Sequence, residues 1–519
     1  GDSIHDFVGP LGTPTETVGL KKVCIIGGGV GGCTAAICAA RRGLHVIMFE
    51  KGVSLGGLAT NGYVPQIAGG IEGICMEYTK RLDDIGQLRK VDPSKDYYRN
   101  PSFEPEFGKF VLEDMVVQAG ARIIYDSTCM DVEMDGANIK RAFFHTKGGV
   151  MSVTARIFID STGDADLAAM AGVPYEVGGA DFAGLNMSTT LGSRWSGADL
   201  VRYQAAEDAY KAEQIANGVE NPHPLVYDLE EKWIQEGKLV RHVCNRFSGF
   251  FRVIIPNTTM DNADFVTFSF HSYFCHNTDA EDISRQVLEQ HQLMQGFYHF
   301  LRECVPGFEK VRLVGTGSLP GVRDSRRIFG EYMLKTSDVV CGTKFEDGIA
   351  RFPEMMDTHH PTSSDLVFQR HAHMVHPTGS AVTVQKGCPA QMHPFGEPEG
   401  TEVRPDPRDY CDIPYRCLLP KGVDNLLAVG RCCSAEFHAN GAMRIIGPAM
   451  GTGHAAGVAA DVALQRGVRP RDIDGRDIRR ILIEEEHVPL DKPCEGYWEE
   501  LSNLKGDFHI NNGDFVYIK

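Results

Sequence analysis

No apolar run in the 519 residues approaches the roughly 20 needed to cross a bilayer, so no membrane span is expected. No basic cluster offsets the net charge of −17, which argues against nucleic acid or an anionic membrane as the main partner. No Cys-x-x-Cys pair occurs among the 15 cysteines, an odd number without regular spacing. A zinc ribbon and a thioredoxin-type dithiol are therefore unsupported, and the cysteines read as reduced, mostly buried thiols of a cytoplasmic protein. No metal is expected either. His359, His360, His371, His373 and His376 fall close together, and His371-x-His373 would share a strand face, but no acidic or Cys residue completes a ligand set at usual spacing, so they read as a polar loop near an active site. No signal peptide is visible, and the opening Gly-Asp leaves room for a leader removed upstream. The length exceeds what one hydrophobic core fills, so two or more domains are expected.

What the chain does have starts at Val23. The β-prone run Val23–Ile26 ends in Gly27-Gly28-Gly29-Val30-Gly31-Gly32 and passes into an Ala-rich helix. A second β-prone run, His45–Phe49, ends in Glu50. This is the order of a βαβ nucleotide fingerprint, with its acid about 20 residues on. Gly27 permits the tight turn, Gly29 lets backbone approach a pyrophosphate, and Gly32 lets helix and strand pack closely. The helix N-terminus, with Val30 and Gly31, offers amides and positive dipole to phosphate. Glu50 can accept from ribose hydroxyls, with Lys51 beside it.

Further along, residues 70–90 and 109–119 read as helices, and 92–108 as a loop. Short β-prone runs follow at 122–125, 129–134 (with Met130, a further cofactor contact), 139–145 and 150–153. The run Ala155–Asp160 meets the turn Ser161-Thr162-Gly163-Asp164. Thr162, Gly163 and Asp164 suit a nucleotide contact, with Asp166 a second acidic candidate; Asp and Ser equally suit a helix N-cap. Residues 176–410 break the α/β rhythm, with strand-like runs at 250–255 and 265–270 and a polar helix near 279–304. They read as an inserted α+β substrate domain. The α/β rhythm returns at Asn425–Arg431 and a Gly/Ala-rich helix near 447–466. Residues 1–20 are expected to be a poorly anchored arm, 21–175 and 411–467 the two parts of one discontinuous domain, and 468–519 an extension.

Five motifs in order resemble the FAD-dependent oxidoreductase family, which shares the glutathione-reductase-type FAD fold: the fingerprint; Leu55-Gly56-Gly57-Leu58-Ala59-Thr60-Asn61-Gly62; the Asp160–Asp164 turn; Gly321-Val322-Arg323-Asp324-Ser325-Arg326-Arg327-Ile328; and Gly430-Arg431 through Gly457. The resemblance implies a Rossmann-like, GR2-type FAD-binding domain in an α/β fold, and FAD as cofactor. It implies that Gly56, Gly57, Leu58, Ala59, Thr60 and Asn61 line the flavin and that Asp164 meets the ribitol. Gly430, Arg431, Met450 and Gly451 would then flank the flavin's pyrimidine edge, with a helix N-terminus to stabilise reduced flavin. The alternative for the Gly447–Gly453 helix start is a tight helix–helix packing face. Family likeness does not imply a substrate.

Between those flavin-proximal motifs lie His438, Asn440 and Arg444. His438 could move a proton, and Arg444 could hold an anion or a developing oxyanion. Arg323, with Arg326 and Arg327, reads either as an anion clamp or as an ion-pair network joining the insertion to the FAD domain. His438, Arg444, Asn440 and Arg323 are the candidate catalytic residues. The expected activity is hydride transfer between a small organic substrate and flavin N5, with an electron acceptor or donor the sequence does not choose. No second GxGxxG is present, which argues against a built-in NAD(P)H domain. The competing readings are an NAD-dependent Rossmann dehydrogenase, which leaves Gly430–Gly457 unexplained, and a non-catalytic flavin-carrying electron relay. An RNA-modifying flavoprotein conflicts with the acidic charge. Covalent flavin attachment would need a residue such as His438 or Cys432. Nothing in the sequence decides between a monomer and a homo-oligomer.

Overall fold

The computed structural model describes residues 6–8, 22–70, 72–89, 101–220, 222–239, 253–268, 270–340, 342–352, 357–362, 382–383, 402–403, 410–492, 508–511 and 514–517. The expectations at residues 92–100 and 250–252, and at His371, His373 and His376, lie outside these.

The first half alternates strand and helix as expected. Strand β1 (Lys22–Ile26) leads through Gly27–Gly29 into α1 (Val30–Arg41), and β2 (His45–Phe49) follows. Both strands are buried apolar runs, the signature of parallel strands covered on both faces. Next come α2 (Ile74–Asp84) and α3 (Pro105–Gln118). Helix α3 begins four residues before the periodicity suggests. Pro105 takes the first helical position, and the Glu104 carboxylate accepts the Glu106 amide. Strand β3 (Arg122–Ile124) precedes three antiparallel strands, β4 (Thr128–Asp135), β5 (Asn138–Thr146) and β6 (Gly149–Val153). Asp6–Val8, in the arm expected to be loose, pairs antiparallel with β6. Strand β7 (Ile157–Asp160) and α4 (Asp166–Met170) close this half.

A separate apolar core then forms. Strands β8 (Ser193–Ala198), β9 (Val253–Ile254), β10 (Ala263–Thr267) and β11 (Arg312–Thr316) make an antiparallel sheet in the order β9-β10-β8-β11. Helices α5 (Leu200–Ala216), α6 (Leu225–Gln235) and α7 (Ala280–Cys304) pack on it. Asp279 caps α7 through the Glu281 and Asp282 amides. Trp195 lies edge-on to Phe297 at 5.6 Å, with Phe265, Phe300 and Leu301 buried around them.

The chain rejoins the first core before residue 411. Ile328 packs beneath the parallel sheet, and Leu334, Val339, Ile349 and Phe352 share the cluster that holds Val23 and Ile25. Strands β12 (Gly348–Phe352) and β13 (Cys411–Pro414) pair antiparallel. That pairing carries no βα rhythm, which is why the sequence placed the return later. Strand β14 (Leu426–Ala428), the short helix α8 (Asn440–Met443) and the long helix α9 (Ile446–Arg466) follow. The last described helix, α10 (Gly475–Glu484), buries Ile478, Ile481 and Leu482 in the same core, so that core extends past residue 467.

The parallel sheet runs β14-β7-β1-β2-β3. Helices α1, α3 and α9 cover one face. The antiparallel strands β4–β6 and α4 cover the other. The fold is mixed α/β around a parallel sheet, with a second core carried by residues 191–311.

Candidate functional site

Strand β1 lies between β2, reached through α1, and β7, reached only after four strands. The order of the sheet reverses there, and the carboxyl ends of β1 and β7 open a crevice of the kind that binds ligands in α/β sheets. The fingerprint glycines divide the work at its lip. Gly27 has φ +97°, and a Cβ there would stand 2.3 Å from the Ser161 carbonyl oxygen; at Gly32 it would meet the Gly27 carbonyl at 2.0 Å. Both are fixed by chain packing. Gly29 differs: a Cβ there has only the Ser161 oxygen within 4 Å, at 3.9 Å, and would project into the crevice. Gly29 is also the N-cap of α1, with no side chain capping the helix. The Val30, Gly31 and Gly32 amides precede the first intrahelical bond, from Cys33 N–H to the Gly29 carbonyl, and are anion donors by position.

Glu50 is buried, and its carboxylate accepts the Gly28 amide at 2.6 Å and the Gly52 amide at 2.7 Å. These bonds fix the acid at the end of β2 with lone pairs left for a ribose diol. The Gly56 amide donates to the Gly28 carbonyl, so the Gly56-Gly57 turn lies along the fingerprint loop. Gly57 and Leu58 are partly exposed there. Thr60 and Asn61 are buried and close their own loop, Thr60 Oγ1 donating to the Leu55 carbonyl and Asn61 pairing with Ser54. Ala59 is buried in the core, and Met130 is exposed on β4.

The opposite lip comes from the ends of β7 and β14. Ser161, Thr162, Gly163, Asp164 and Arg431 are each partly exposed. Asp164 Oδ1 accepts Arg431 Nη1 at 2.8 Å and the Ser325 hydroxyl at 2.7 Å. Burial alone would raise this carboxyl, but Arg431, Ser325 and Lys51 together hold it below the usual carboxylate range. Asp166 is paired with Arg326 instead. The capping that the sequence left open for this turn falls to other side chains. Thr162 Oγ1 accepts the Asp166 amide, and the fully buried Asp160 accepts the amides of Thr162 and Ala168. Burial pushes the Asp160 carboxyl up, against those bonds. Cys432 is buried behind this turn, and burial raises its thiol well above the usual range.

The N-terminus of α9 meets that of α1. Thr34 Oγ1 donates to the Met450 carbonyl at 2.9 Å, and a Cβ at Gly453 would stand 2.0 Å from the Gly31 carbonyl. The packing alternative therefore describes much of this motif. The Met450 side chain is buried in the core, and a Cβ at Gly451 would point at Ala350, so the side-chain directions of both positions lead away from the crevice. The Gly447 amide is taken by the Ala68 carbonyl, and Pro448 has none, which leaves the Ile446 amide and the helix dipole at this end. Gly430, buried at the end of β14, donates to Thr452 Oγ1.

The four expected catalytic residues come together beside this crevice, joined by Asp357, which the sequence did not single out, and by His359, which it noted only among the clustered histidines. Arg444 Nη2 donates to Asp357 Oδ2 at 2.6 Å, and His359 Nε2 lies 2.9 Å from Asp357 Oδ1. Arg323 Nη1 donates to the Ser188 carbonyl at 2.7 Å. Arg323 stands two residues from Ser325, which bonds Asp164 on the crevice lip. Asn440 is fully buried, its Nδ2 3.5 Å from the Arg323 carbonyl oxygen. Thr358 Oγ1 donates to the His438 carbonyl, and the His438 ring lies edge-on to Phe437 at 5.1 Å. Arg444, Ile445, Asp357 and His359 are partly exposed, whereas His438 is buried. Arg326 and Arg327 take the ion-pair role. Arg327 is buried between Asp324, Glu176 and the Gly178 carbonyl. Asp357 and His359 were missed because they follow a Pro- and Met-containing stretch with no periodicity. The histidine pair His359-His360 was the one visible signal, weighed as a metal ligand and read in preference as part of a polar loop near the active site.

The crevice fits FAD on this chain's own geometry. It has a glycine whose Cβ would fill the pyrophosphate space, an uncapped helix end, a fixed acid at the end of β2, and a partly exposed lip running on to Arg431 and Arg444. No curated protein matches the chain. Among solved structures it is similar to a geranylgeranyl bacteriochlorophyll reductase-like protein from Thermoplasma acidophilum, at 14% identity over 94% of this chain and 91% of that one, with TM-score 0.40. A flavin-dependent brominase is similar at 12% identity over 90% and 83%, TM-score 0.38. A p-nitrophenol 4-monooxygenase from Pseudomonas putida is similar at 11% identity over 60% and 70%, TM-score 0.33. The family described as FAD dependent oxidoreductase matches residues 22–482, which takes in both lips of the crevice, and FAD is the cofactor. The chain belongs to the FAD dependent oxidoreductase family.

Proposed function

We propose that this protein oxidises or reduces a small organic molecule at a site enclosed by Arg444, Arg323, Asn440, His438 and the Asp357–His359 segment, within a GR2-type FAD domain and its inserted substrate domain. The observation that carries the reading is the convergence of these polar groups beside a crevice that fits FAD. When bound, FAD supplies two-electron chemistry, with hydride exchanged at its N5. The protein's part is to bind, orient and manage protons. Lys51 and the α1 amides would hold the anionic half of the cofactor, and Glu50 its ribose. Arg444, held in place by Asp357, presents a fixed positive charge beside the site. Asn440 bonds the Arg323 backbone and keeps that turn against α8. Phe437 and Phe182, with ring centroids 5.5 Å apart, form an apolar wall beside His438; such a wall excludes water from a charge-separated step. The electron partner is a diffusible acceptor or donor.

The test is anaerobic. Yellow holoprotein is mixed with a panel of small alcohols, amines and acids, and bleaching of the flavin identifies the reductant class. Arg444→Ala is expected to keep its flavin and lose turnover with the compound that bleaches the wild type. Unchanged turnover would remove Arg444 from the site.

A further inference from the structure

Arg431 stands on the lip of the crevice with one edge of its guanidinium unused. Its side-chain bonds leave from a single nitrogen: Nη1 donates to Asp164 Oδ1 at 2.8 Å and to the Ser325 hydroxyl at 3.3 Å. Nε and Nη2 make no hydrogen bond among the described residues. That edge runs along Gly163, where a Cβ would stand 2.6 Å from Nη2 and 3.4 Å from Nε. Gly163 has φ +82°, and its amide donates to the Cys432 sulfur at 3.1 Å, so the turn is fixed and only a glycine leaves the guanidinium its place. The same turn faces the fingerprint. A Cβ at Gly27 would stand 2.9 Å from the Thr162 nitrogen, and Gly29 has the Ser161 carbonyl oxygen as its one neighbour within 4 Å. The strand that delivers Arg431 also reaches the first turn of α1, since a Cβ at Gly31 would lie 3.4 Å from Val429 Cγ2. Arg431 and the open amides of α1 therefore border one crevice from opposite sides.

We propose that Arg431 binds the riboflavin-side phosphate of the FAD diphosphate through Nε and Nη2, and that Asp164 and Ser325 are positioning residues that hold the guanidinium to the lip. This moves Arg431 away from the pyrimidine edge, where the family resemblance puts it, and turns Asp164 from a ribitol ligand into a brace. It rests on FAD lying in the crevice and not on the substrate reading above.

Charge and topology support the assignment. A diphosphate is a dianion, whereas a helix end supplies only about half a unit of positive charge. The rest calls for a cation fixed at the other wall, and the planar fork of arginine matches two phosphate oxygens at once. Sheet order sets which phosphate it meets. The acid for the ribose ends β2, on one side of β1, while Arg431 follows β14, on the other side and beyond β7. The adenosine half thus lies toward Glu50 and the riboflavin half toward Arg431. The brace stays charged: against burial, Arg431, Ser325 and Lys51 hold Asp164 below the usual carboxylate range. Asp164 Oδ1 already accepts two donors, which suits it to aim the guanidinium.

The experiment uses the yellow full-length protein and no substrate. Release of FAD on dilution is followed by flavin fluorescence, with ADP and AMP as competitors. ADP carries the second phosphate without the flavin, and AMP lacks it. ADP is expected to displace FAD from the wild type at a concentration about tenfold or more below that of AMP, as a charge-assisted contact requires. Arg431→Gln is expected to hold FAD about tenfold or more weakly and to bring ADP within about threefold of AMP, with competition by AMP little changed. Arg431→Lys, which keeps the charge but loses the fork, is expected to fall between the two in both measures, and it stands in if Arg431→Gln does not fold. A wild type that does not distinguish ADP from AMP would overturn the proposal. So would a variant that keeps the wild-type ratio of ADP to AMP, whether its hold on FAD is unchanged or weakened for all three nucleotides alike; Arg431 would then only link two turns. A colourless preparation that takes up no FAD is recognised before any competition and ends the cofactor reading and this one together.

Discussion

Single residues here are legible in proportion to how local their reason is. Gly27, Gly29, Gly32 and Glu50 were readable because a strand end, a tight turn and a helix start follow one another within a few residues and fix their spacing. Asp160 was not readable as a capping residue, because its acceptors are filled by backbone on both sides of a turn. Asp357 and His359 were hidden because their partners Arg444 and Arg323 arrive from distant parts of the chain. Glu486 is a further case. Its carboxylate accepts Arg42 at 2.7 Å and lies 3.2 Å from His454, joining α1, α9 and the segment after α10. The His454 bond first, then Arg42, hold it at about 2, below its ordinary 4.5, against the cost of burial. A carboxyl lowered in the folded state adds stability above its unfolded value and loses it as pH falls through the folded one. Wild-type melting temperature is therefore expected to fall between about pH 4.5 and pH 2 more steeply than that of Glu486→Gln. Parallel curves would remove Glu486 from the acid response.

At the scale of elements, the pairing of α1 with α9 organises the site. Small residues on both helices bring the two N-termini together, and Thr34 seals the contact on the Met450 carbonyl. The Gly/Ala-rich pattern of α9 signalled close approach in the sequence, but periodicity alone does not say whether a helix packs on a ring or on another helix. Gly453→Ala is expected to destabilise the fold by about 3 kcal/mol or more, since its Cβ would stand 2.0 Å from backbone that cannot move without shifting α1. Chemical denaturation measures it. A loss below about 1 kcal/mol would mean that the helices part easily and that the cradle is soft. The antiparallel pair β12–β13 was the least legible element, because its strands are separated by residues 353–410 and no local pattern links them.

At the scale of the whole molecule, mixed α/β content around a parallel sheet was legible, and a separate aromatic core is carried by residues 191–311. The boundary on the return was not, since the chain re-enters the first core at Ile328 through contacts made only in three dimensions. No described helix is long and apolar enough to cross a membrane. The crevice lies at the carboxyl ends of β1 and β7, and the central claim is that FAD is held there. The most direct test is the flavin content of purified wild type and Gly29→Val, with thermal unfolding as the control for fold. The account predicts yellow wild type and a folded, flavin-free variant, because a Cβ at residue 29 meets only the Ser161 carbonyl oxygen, at an unstrained 3.9 Å, and directs the valine side chain into the pyrophosphate space. A Gly29→Val protein that keeps its flavin, or a wild type that stays colourless after incubation with excess FAD, would contradict it.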